Sequence, residues 1–310
     1  MNIKIIGTGS YLPEKLVTNQ DLEKNIETSD EWIRERTGIG ARHVAAENES
    51  VASLAAKASE KALERAGISA LDLDLILVAT CSHKEHVPSA SCLVQELLGA
   101  KNAAAFDIGA ACTGFLTALS VAAAYLENGS FEKILVVGSE VLSGIVDWTD
   151  RTTCILFGDG AGAAVVTHGT LSESPVFCLG ADGSGKDALR CKVDGKLTMD
   201  GQAVYRFATR TVPMVLKQTL EKAGKTESDV NLFLLHQANS RIIGSIVKSM
   251  GSTAEKFPIN LTENGNISSA SIPVLLDELV RNGKIKSGDL LALSGFGAGL
   301  TYGACLLRYE

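Results

Sequence analysis

No stretch of this chain is rich in Lys or Arg: 29 basic residues stand against 36 acidic ones, giving a formal net charge of -7 with 21% of residues charged. A general nucleic-acid partner is disfavoured, and any basic partner site must be local. The N-terminus lacks a basic segment followed by a long apolar stretch and instead enters a strand-like run, Ile3 to Ile6, directly. No window reaches the uninterrupted apolar length of a membrane span, so the sequence predicts a soluble cytoplasmic protein. The seven cysteines (Cys81, Cys92, Cys112, Cys154, Cys178, Cys191 and Cys305) contain no CxxC pair and are odd in number, which predicts free thiols. Cys81, His83 and His86 are close enough to suggest a metal site, but no familiar spacing supplies a fourth ligand, and no metal is expected. No Pro/Ser-rich linker divides the 310 residues, 45% of them hydrophobic, so one large body or two tightly coupled ones is expected.

What the chain has is alternation. Apolar runs of strand length, Leu73 to Ala79, Lys133 to Val137, Leu232 to Leu235 and Leu290 to Leu293, are separated by Ala/Leu-rich stretches of helical periodicity, an α/β pattern. The halves also resemble each other. KALERAGISALDLDLILVA parallels KQTLEKAGKTESDVNLFLLH, with Ala66-Gly67 matching Ala223-Gly224 and Asp74-Leu75 matching Asn231-Leu232, both at an offset of 157 (223 minus 66, 231 minus 74). Lys133 to Gly138 finds its counterpart in Asp289 to Ser294 at nearly the same offset. In each half a helix ends at a glycine able to take the left-handed cap, and a polar turn leads into a buried strand. The reading is a duplicated α/β unit with a site between its halves.

Ala103 to Ile108 reads as a strand and Gly114 to Glu127 as a helix ending at Asn128-Gly129, which leaves Cys112 at the turn between them. A thiol there faces the unpaired N–H groups and positive end of the helix, which favours the thiolate. Taken alone, Cys112 is equally a small residue chosen for tight packing. His236 comes directly after the strand Leu232 to Leu235, at the carboxyl end where ligands gather in open α/β sheets, although a structural histidine fits as well. Asn266 lies in an Asn/Gly-rich turn before Ser269 to Asn282, which reads as a helix; such turns are common.

AACTGF around Cys112, HQANSR from His236, NGNISSAS from Asn264 and GFGAGLTYG from Gly295 occur together and in order, with DEWIRERTGI at Asp30, DRTTCILFGDGAGAA at Asp150 and MDGQAVYRFA at Met199. Nearly end to end, the chain strongly resembles beta-ketoacyl-acyl-carrier-protein synthase III. The resemblance implies a thiolase-like fold: two duplicated halves, 1–170 carrying Cys112 and 171–310 carrying His236 and Asn266, in five α-β-α-β-α layers, usually as a homodimer. It implies that Cys112 takes an acyl group from acyl-CoA, that malonyl-acyl-carrier protein then loses carbon dioxide, and that its carbanion attacks the acyl-enzyme. No cofactor is required beyond the coenzyme A thioester that serves as substrate. His236 Nε2–H and the Asn266 amide suit the enolate oxygen, and backbone N–H groups of Cys112 and Ala298 the acyl carbonyl. Whether a neutral His236 accepts the Cys112 proton or the helix stabilises a thiolate stays open.

By the same resemblance Trp32, Arg36 and Arg151 meet the adenine end of coenzyme A; the first two are four apart, on one helix face. Arg241 and Lys248, seven apart, form a short basic ridge for the acidic carrier protein, with Arg206 added by resemblance. Val87 stands where acetyl-specific members tend to have phenylalanine, predicting primers longer or more branched than acetyl, with Leu142, Phe157 and Leu189 as other acyl-pocket walls. Ala298 replaces a family glycine but keeps its N–H.

Other functions fit less. Gly158 to Gly162 lacks the Lys-Ser/Thr of a phosphate loop, and Ile5 to Gly9 starts like a nicotinamide-binding unit but has Leu12 and Pro13 where it would continue. A papain-like hydrolase also orders Cys, His and Asn, yet its Cys-Gly-Ser-Cys-Trp signature is absent. A degradative thiolase would carry a second cysteine near Gly297-Ala298-Gly299, whereas condensing enzymes of secondary metabolism share the Cys-His-Asn set.

Overall fold

A computed structural model of the chain describes residues 3–170 and 173–310. The expected boundary between residues 170 and 171 therefore sits at the edge of the described residues, and residues 1, 2, 171 and 172 lie outside them. The first half runs β1 (Ile3–Tyr11), β2 (Lys15–Thr18), α1 (Asn19–Glu23), α2 (Asp30–Thr37), β3 (Ala41–Val44), α3 (Val51–Ala66), β4 (Leu75–Ala79), α4 (Ala90–Leu98), β5 (Ala104–Ile108), α5 (Gly114–Glu127), β6 (Lys133–Val141), α6 (Arg151–Cys154) and β7 (Asp159–His168). The second runs β8 (Val176–Ala181), β9 (Leu189–Arg190), β10 (Thr198–Met199), α7 (Gly201–Lys222), β11 (Leu232–Leu235), α8 (Ser240–Met250), α9 (Leu261–Asn264), α10 (Ser271–Arg281), β12 (Leu290–Gly297) and β13 (Thr301–Arg308).

One plan is used twice. The first sheet has the order β1-β7-β6-β4-β5, and the second β8-β13-β12-β11 when read the same way. β4 with β6 and β11 with β12 are parallel, while β6 with β7, β7 with β1, β12 with β13 and β13 with β8 are antiparallel. Among the described residues the second half has no counterpart of β5. The helices α3 and α7 both hand over to a left-handed glycine, Gly67 at φ 66° and Gly224 at φ 64°, as the C-cap reading requires.

Strand periodicity distributes the apolar side chains to the two faces of each sheet. Ile76, Val78, Leu135, Val137, Ala163 and Val165 pack outward against Leu54, Ala55, Ala58 and Ala62 of α3. Leu75, Leu77, Ile134 and Val136 point the other way, onto Phe115, Leu116 and Leu119 of α5 and Ile272, Leu275 and Leu279 of α10, whose far side meets Leu291, Leu293, Cys305 and Leu307 of the second sheet. That sheet's outer face, with Phe233, Leu235, Ala292 and Leu306, is covered by Val212, Val215 and Leu216 of α7 and Ile243 and Ile246 of α8. The result is the expected five layers, and sheets covered on both faces explain why the strands read as continuous apolar runs. Each Leu, Ile or Phe of the middle layer contributes about 1.5–3 kcal/mol by leaving water.

The two central helices differ in how they start. α5 opens at Gly114 and ends at Glu127, as the sequence predicts, but α10 opens at Ser271 rather than at Ser269. Ser268 to Ala270 is a 3-10 turn with Ser268 at φ 48°, and Ala111 to Thr113 before α5 is another with Ala111 at φ 46°. These turns are 157 positions apart (268 minus 111), the offset of the duplication.

Candidate active site

Cys112 sits in the first of these turns, only 6% exposed, between β5 and the N-terminus of α5. Gly297, at the end of β12, faces it so closely that a Cβ there would lie 2.7 Å from the Cys112 backbone N. Burial pushes the Cys112 thiol up to about 12; a hydrogen bond from the Ser268 hydroxyl works against that rise, and the Glu140 carboxylate adds to it. Of the two possibilities the sequence leaves open, burial favours the protonated thiol at rest. Local sequence displays the helix dipole, but the loss of water around a sulfur enclosed by both halves is larger.

His236 follows β11, its backbone N–H donating to Ser294 O at 2.8 Å and its ring meeting Phe296 edge-on at 5.4 Å. Burial lowers its pKa to about 3, so the imidazole is neutral, and its buried Nδ1 has no hydrogen-bond partner among the described residues. With Nδ1 buried, Nε2 is the ring nitrogen open to a substrate, an acceptor in one neutral tautomer and a donor in the other. Asn266 is clamped through its backbone: N–H donates to Leu156 O at 2.8 Å, and its carbonyl accepts from Gly158 N–H at 3.0 Å. Its Oδ1 accepts from Ser268 N–H at 2.9 Å, which leaves the side-chain NH2 as the free end. The donor expected at Asn266 is therefore Nδ2, because the backbone N–H is already used.

Cys112, His236 and Asn266 line one cavity of about 110 Å³, together with Phe157, Leu189, Tyr205, Asn239, Phe296 and Gly297. On its other side Cys112 opens on a second cavity of about 180 Å³ lined by Leu142, Ile145, Phe157, Leu189 and Leu197, and also by Cys81, Cys191, Ser268 and Ala298. Three of the expected acyl-pocket walls, Leu142, Phe157 and Leu189, meet there. Val87 does not: it is 83% exposed and lines neither cavity. It belongs to an exposed stretch, residues 84–88, so within one chain it is no pocket wall. Cys81 and His83 also part company, the thiol reaching Glu140 at 3.4 Å and the imidazole Nε2 lying 3.2 Å from Pro88 O.

Around the Trp32 ring, Arg151 and Arg36 place their guanidinium carbons 4.9 Å and 5.9 Å from its centroid, the expected aromatic-cation trio. Arg151 donates to Glu27 O at 2.9 Å, and Asn239 Nδ2 to Arg36 O at 3.1 Å, which ties α2 to the segment after His236. Arg206, Arg241 and Lys248 are exposed on the neighbouring helices α7 and α8. Arg241 lies 5.9 Å from the ring of Tyr205, itself a wall of the Cys112 cavity, so the basic ridge adjoins the site. Sequence reasoning overlooked Phe296 and Ser268, although both stand in the quoted motifs, and it overlooked Glu140, for which no local signal exists.

Comparison with known proteins agrees with this fold. Residues 106–183 match the family model described as 3-oxoacyl-[acyl-carrier-protein (ACP)] synthase III, and residues 220–309 match that for its C-terminal part. The chain is 44% identical to beta-ketoacyl-[acyl-carrier-protein] synthase III of Clostridium acetobutylicum, covering 99% of each, and 48% identical to that of Oceanobacillus iheyensis, covering 100% of this chain and 99% of that protein. The crystal structure of 3-oxoacyl-[acyl-carrier-protein] synthase III from Aquifex aeolicus superposes with a TM-score of 0.96 at 45% identity, over 99% of this chain and 100% of that one. The priming beta-ketosynthase of the R1128 polyketide pathway superposes at 0.93 with 38% identity, over 99% and 97%.

Proposed function

The chain belongs to the 3-oxoacyl-[acyl-carrier-protein] synthase III family, with its thiolase-like fold, and from that premise we propose how its residues perform the reaction. It is an acyltransferase that condenses an acyl-CoA primer with malonyl-acyl-carrier protein and so initiates fatty acid synthesis. The observation that carries the assignment of roles is the meeting of Cys112, His236 and Asn266 in one cavity, with a second, apolar cavity behind the sulfur.

Cys112 starts as a thiol beside a neutral imidazole. A resting thiolate–imidazolium pair is disfavoured by a thiol pushed up to about 12 and an imidazole lowered to about 3. The Cys112 proton therefore leaves as the sulfur attacks the thioester carbonyl, with His236 as acceptor; the C–S bond to Cys112 forms, that to coenzyme A breaks, and the released thiol carries the proton away. In the second half-reaction the malonyl carboxylate leaves as carbon dioxide and its electron pair becomes an enolate, held by His236 Nε2–H and Asn266 Nδ2–H. The enolate carbon bonds to the acyl carbon, and the Cys112 sulfur departs, taking up a proton from solvent to return as the thiol. Donors so placed are worth about 3–4 kcal/mol each, and the backbone N–H groups of Cys112 and Ala298 serve the acyl carbonyl. The chemistry needs no cofactor beyond its coenzyme A thioester substrate.

Trp32, Arg36 and Arg151 bind the adenine end of coenzyme A, and Arg206, Arg241 and Lys248 receive the acidic carrier protein. The cavity of about 180 Å³ behind Cys112 is several times the roughly 30 Å³ share of a single water, which supports primers larger than acetyl. β5 is the last strand of its sheet, and its open outer edge supports pairing with a second copy in a homodimer. Among the described residues no helix is long and apolar enough to cross a membrane; a cytoplasmic location is part of the proposal. Steady-state kcat/KM for acetyl-, isobutyryl- and octanoyl-CoA, with malonyl-carrier protein as second substrate, tests the reading. Beta-ketoacyl-carrier product with isobutyryl-CoA at least as good as acetyl-CoA is expected, and a strong acetyl preference rejects the pocket assignment. Arg241→Glu should raise KM for malonyl-carrier protein and spare priming by acyl-CoA; equal loss of both rejects the docking ridge.

A further inference from the structure

One buried titratable group has no part in this scheme. Glu140, next to last in β6, is wholly buried, and its carboxylate is ringed by donors from separate segments. Oε2 accepts from Thr80 Oγ1 at 3.2 Å, the Cys81 backbone N–H at 3.1 Å and Ser82 Oγ at 2.5 Å. Oε1 accepts from Ser269 Oγ at 2.8 Å, the Ser269 backbone N–H at 3.4 Å and the Cys81 thiol at 3.4 Å. None of these partners is a cation, and taking a carboxylate out of water without one is costly. The arrangement persists for what it holds in place.

On one side it holds Cys81, a wall of the acyl cavity, at the exit of β4. On the other it holds Ser269, the neighbour of Ser268, whose φ of 48° is unfavourable for a residue with a side chain. Fixing Ser269 fixes that turn. Ser268 N–H then captures Asn266 Oδ1 at 2.9 Å and turns the amide NH2 outward, while Ser268 Oγ lies 3.7 Å from Cys81 Sγ. A contact chain thus runs from Glu140 in the first half through Ser269 and Ser268 to Asn266 in the second.

We propose that Glu140 is a positioning residue for condensation: its carboxylate clamps the exit of β4 to the Ser268–Ala270 turn, so that the Asn266 amide faces the substrate. The inference rests on the acyl-Cys112 reading given above. Priming uses Cys112, its backbone donors and His236, whereas condensation also needs Asn266. Loss of the clamp must therefore divide the two half-reactions, which general destabilisation would not do.

The test follows both half-reactions by rapid mixing and intact mass, in the full-length wild type and in Glu140→Gln, which keeps the side chain's size but presents an amide to a ring of donors. Acylation of Cys112 by acyl-CoA should stay within about twofold of wild type, and its discharge by malonyl-carrier protein should fall at least about tenfold, the scale set by small misplacements at reacting centres. Ser269→Ala, which removes one link and leaves the carboxylate, should show the same split with a smaller loss, and it alone decides if Glu140→Gln does not fold. Wild-type discharge in either folded variant, or equal loss of both half-reactions, overturns the proposal. A wild type that never acquires an acyl group overturns the underlying reading instead.

Discussion

The turns Ala111–Thr113 and Ser268–Ala270 share a backbone and have opposite contents. Each begins with a left-handed residue and opens a central helix, and 157 positions separate Cys112 from Ser269 (269 minus 112). Facing Cys112 is Gly297, and at the same offset before it stands Glu140, which bonds Ser269 through both N–H and hydroxyl. His236 borders the Cys112 cavity; its counterpart by the same offset is Ala79, whose carbonyl lies 2.9 Å from Ser269 Oγ. One turn keeps space before its nucleophile, and the other is filled by a carboxylate and a carbonyl. A nucleophile in this fold therefore depends on what is left out around it as much as on the turn that presents it.

Breaking the open turn should have the largest effects. Cys112→Ala should abolish the acyl adduct in intact mass and lower condensation at least about 10³-fold. Asn266→Ala should cost condensation about 10²–10³-fold while acylation, timed separately, survives. Gly297→Ala adds a Cβ 2.7 Å from the Cys112 backbone N, so the turn must shift; a loss of about 10²-fold in kcat is expected, with circular dichroism confirming that the variant folds.

The pH dependence of Cys112 sharpens the same contrast. Its folded thiol is pushed from the ordinary 9.0 up to about 12, so it binds a proton in a range where the unfolded thiol does not. The stability this group contributes is full below pH 9.0 and is lost as pH rises through about 12. Alkylation of Cys112 by iodoacetamide should accelerate about tenfold per pH unit without levelling off through pH 9; a plateau near pH 7 would indicate a thiolate instead. The smallest effect is expected at the filled turn, where Ser269→Cys should leave the acyl adduct at one per chain, because Glu140 and Ala79 occupy the space an acyl carbonyl would need.

Much of this was legible in the residues. The Asn128-Gly129 stop and the Ala-rich run of Gly114 to Glu127 defined α5, and the 157-residue offset exposed the duplication because both copies kept the same cap and buried strand. Local reasoning failed wherever a distant segment decides. Ser269 looked like the start of a helix, but the 3-10 turn it occupies depends on bonds to Glu140, distant in sequence. The protonation of Cys112 stayed open because the helix N-terminus is a local feature and burial between two halves is not. Val87 was assigned to a pocket by resemblance, which does not reveal where an exposed loop carries it. Glu140 itself stands next to last in an apolar strand and gives no sign that donors from residues 80–82 and 269 converge on it.

Intact mass of the protein after mixing with isobutyryl-CoA, followed by addition of malonyl-carrier protein, reaches the central claim most directly. One acyl group on the peptide containing Cys112, discharged as beta-ketoacyl-carrier protein, is the predicted result. An adduct on Cys81 or Cys191, or one on Cys112 that malonyl-carrier protein does not discharge, would contradict it.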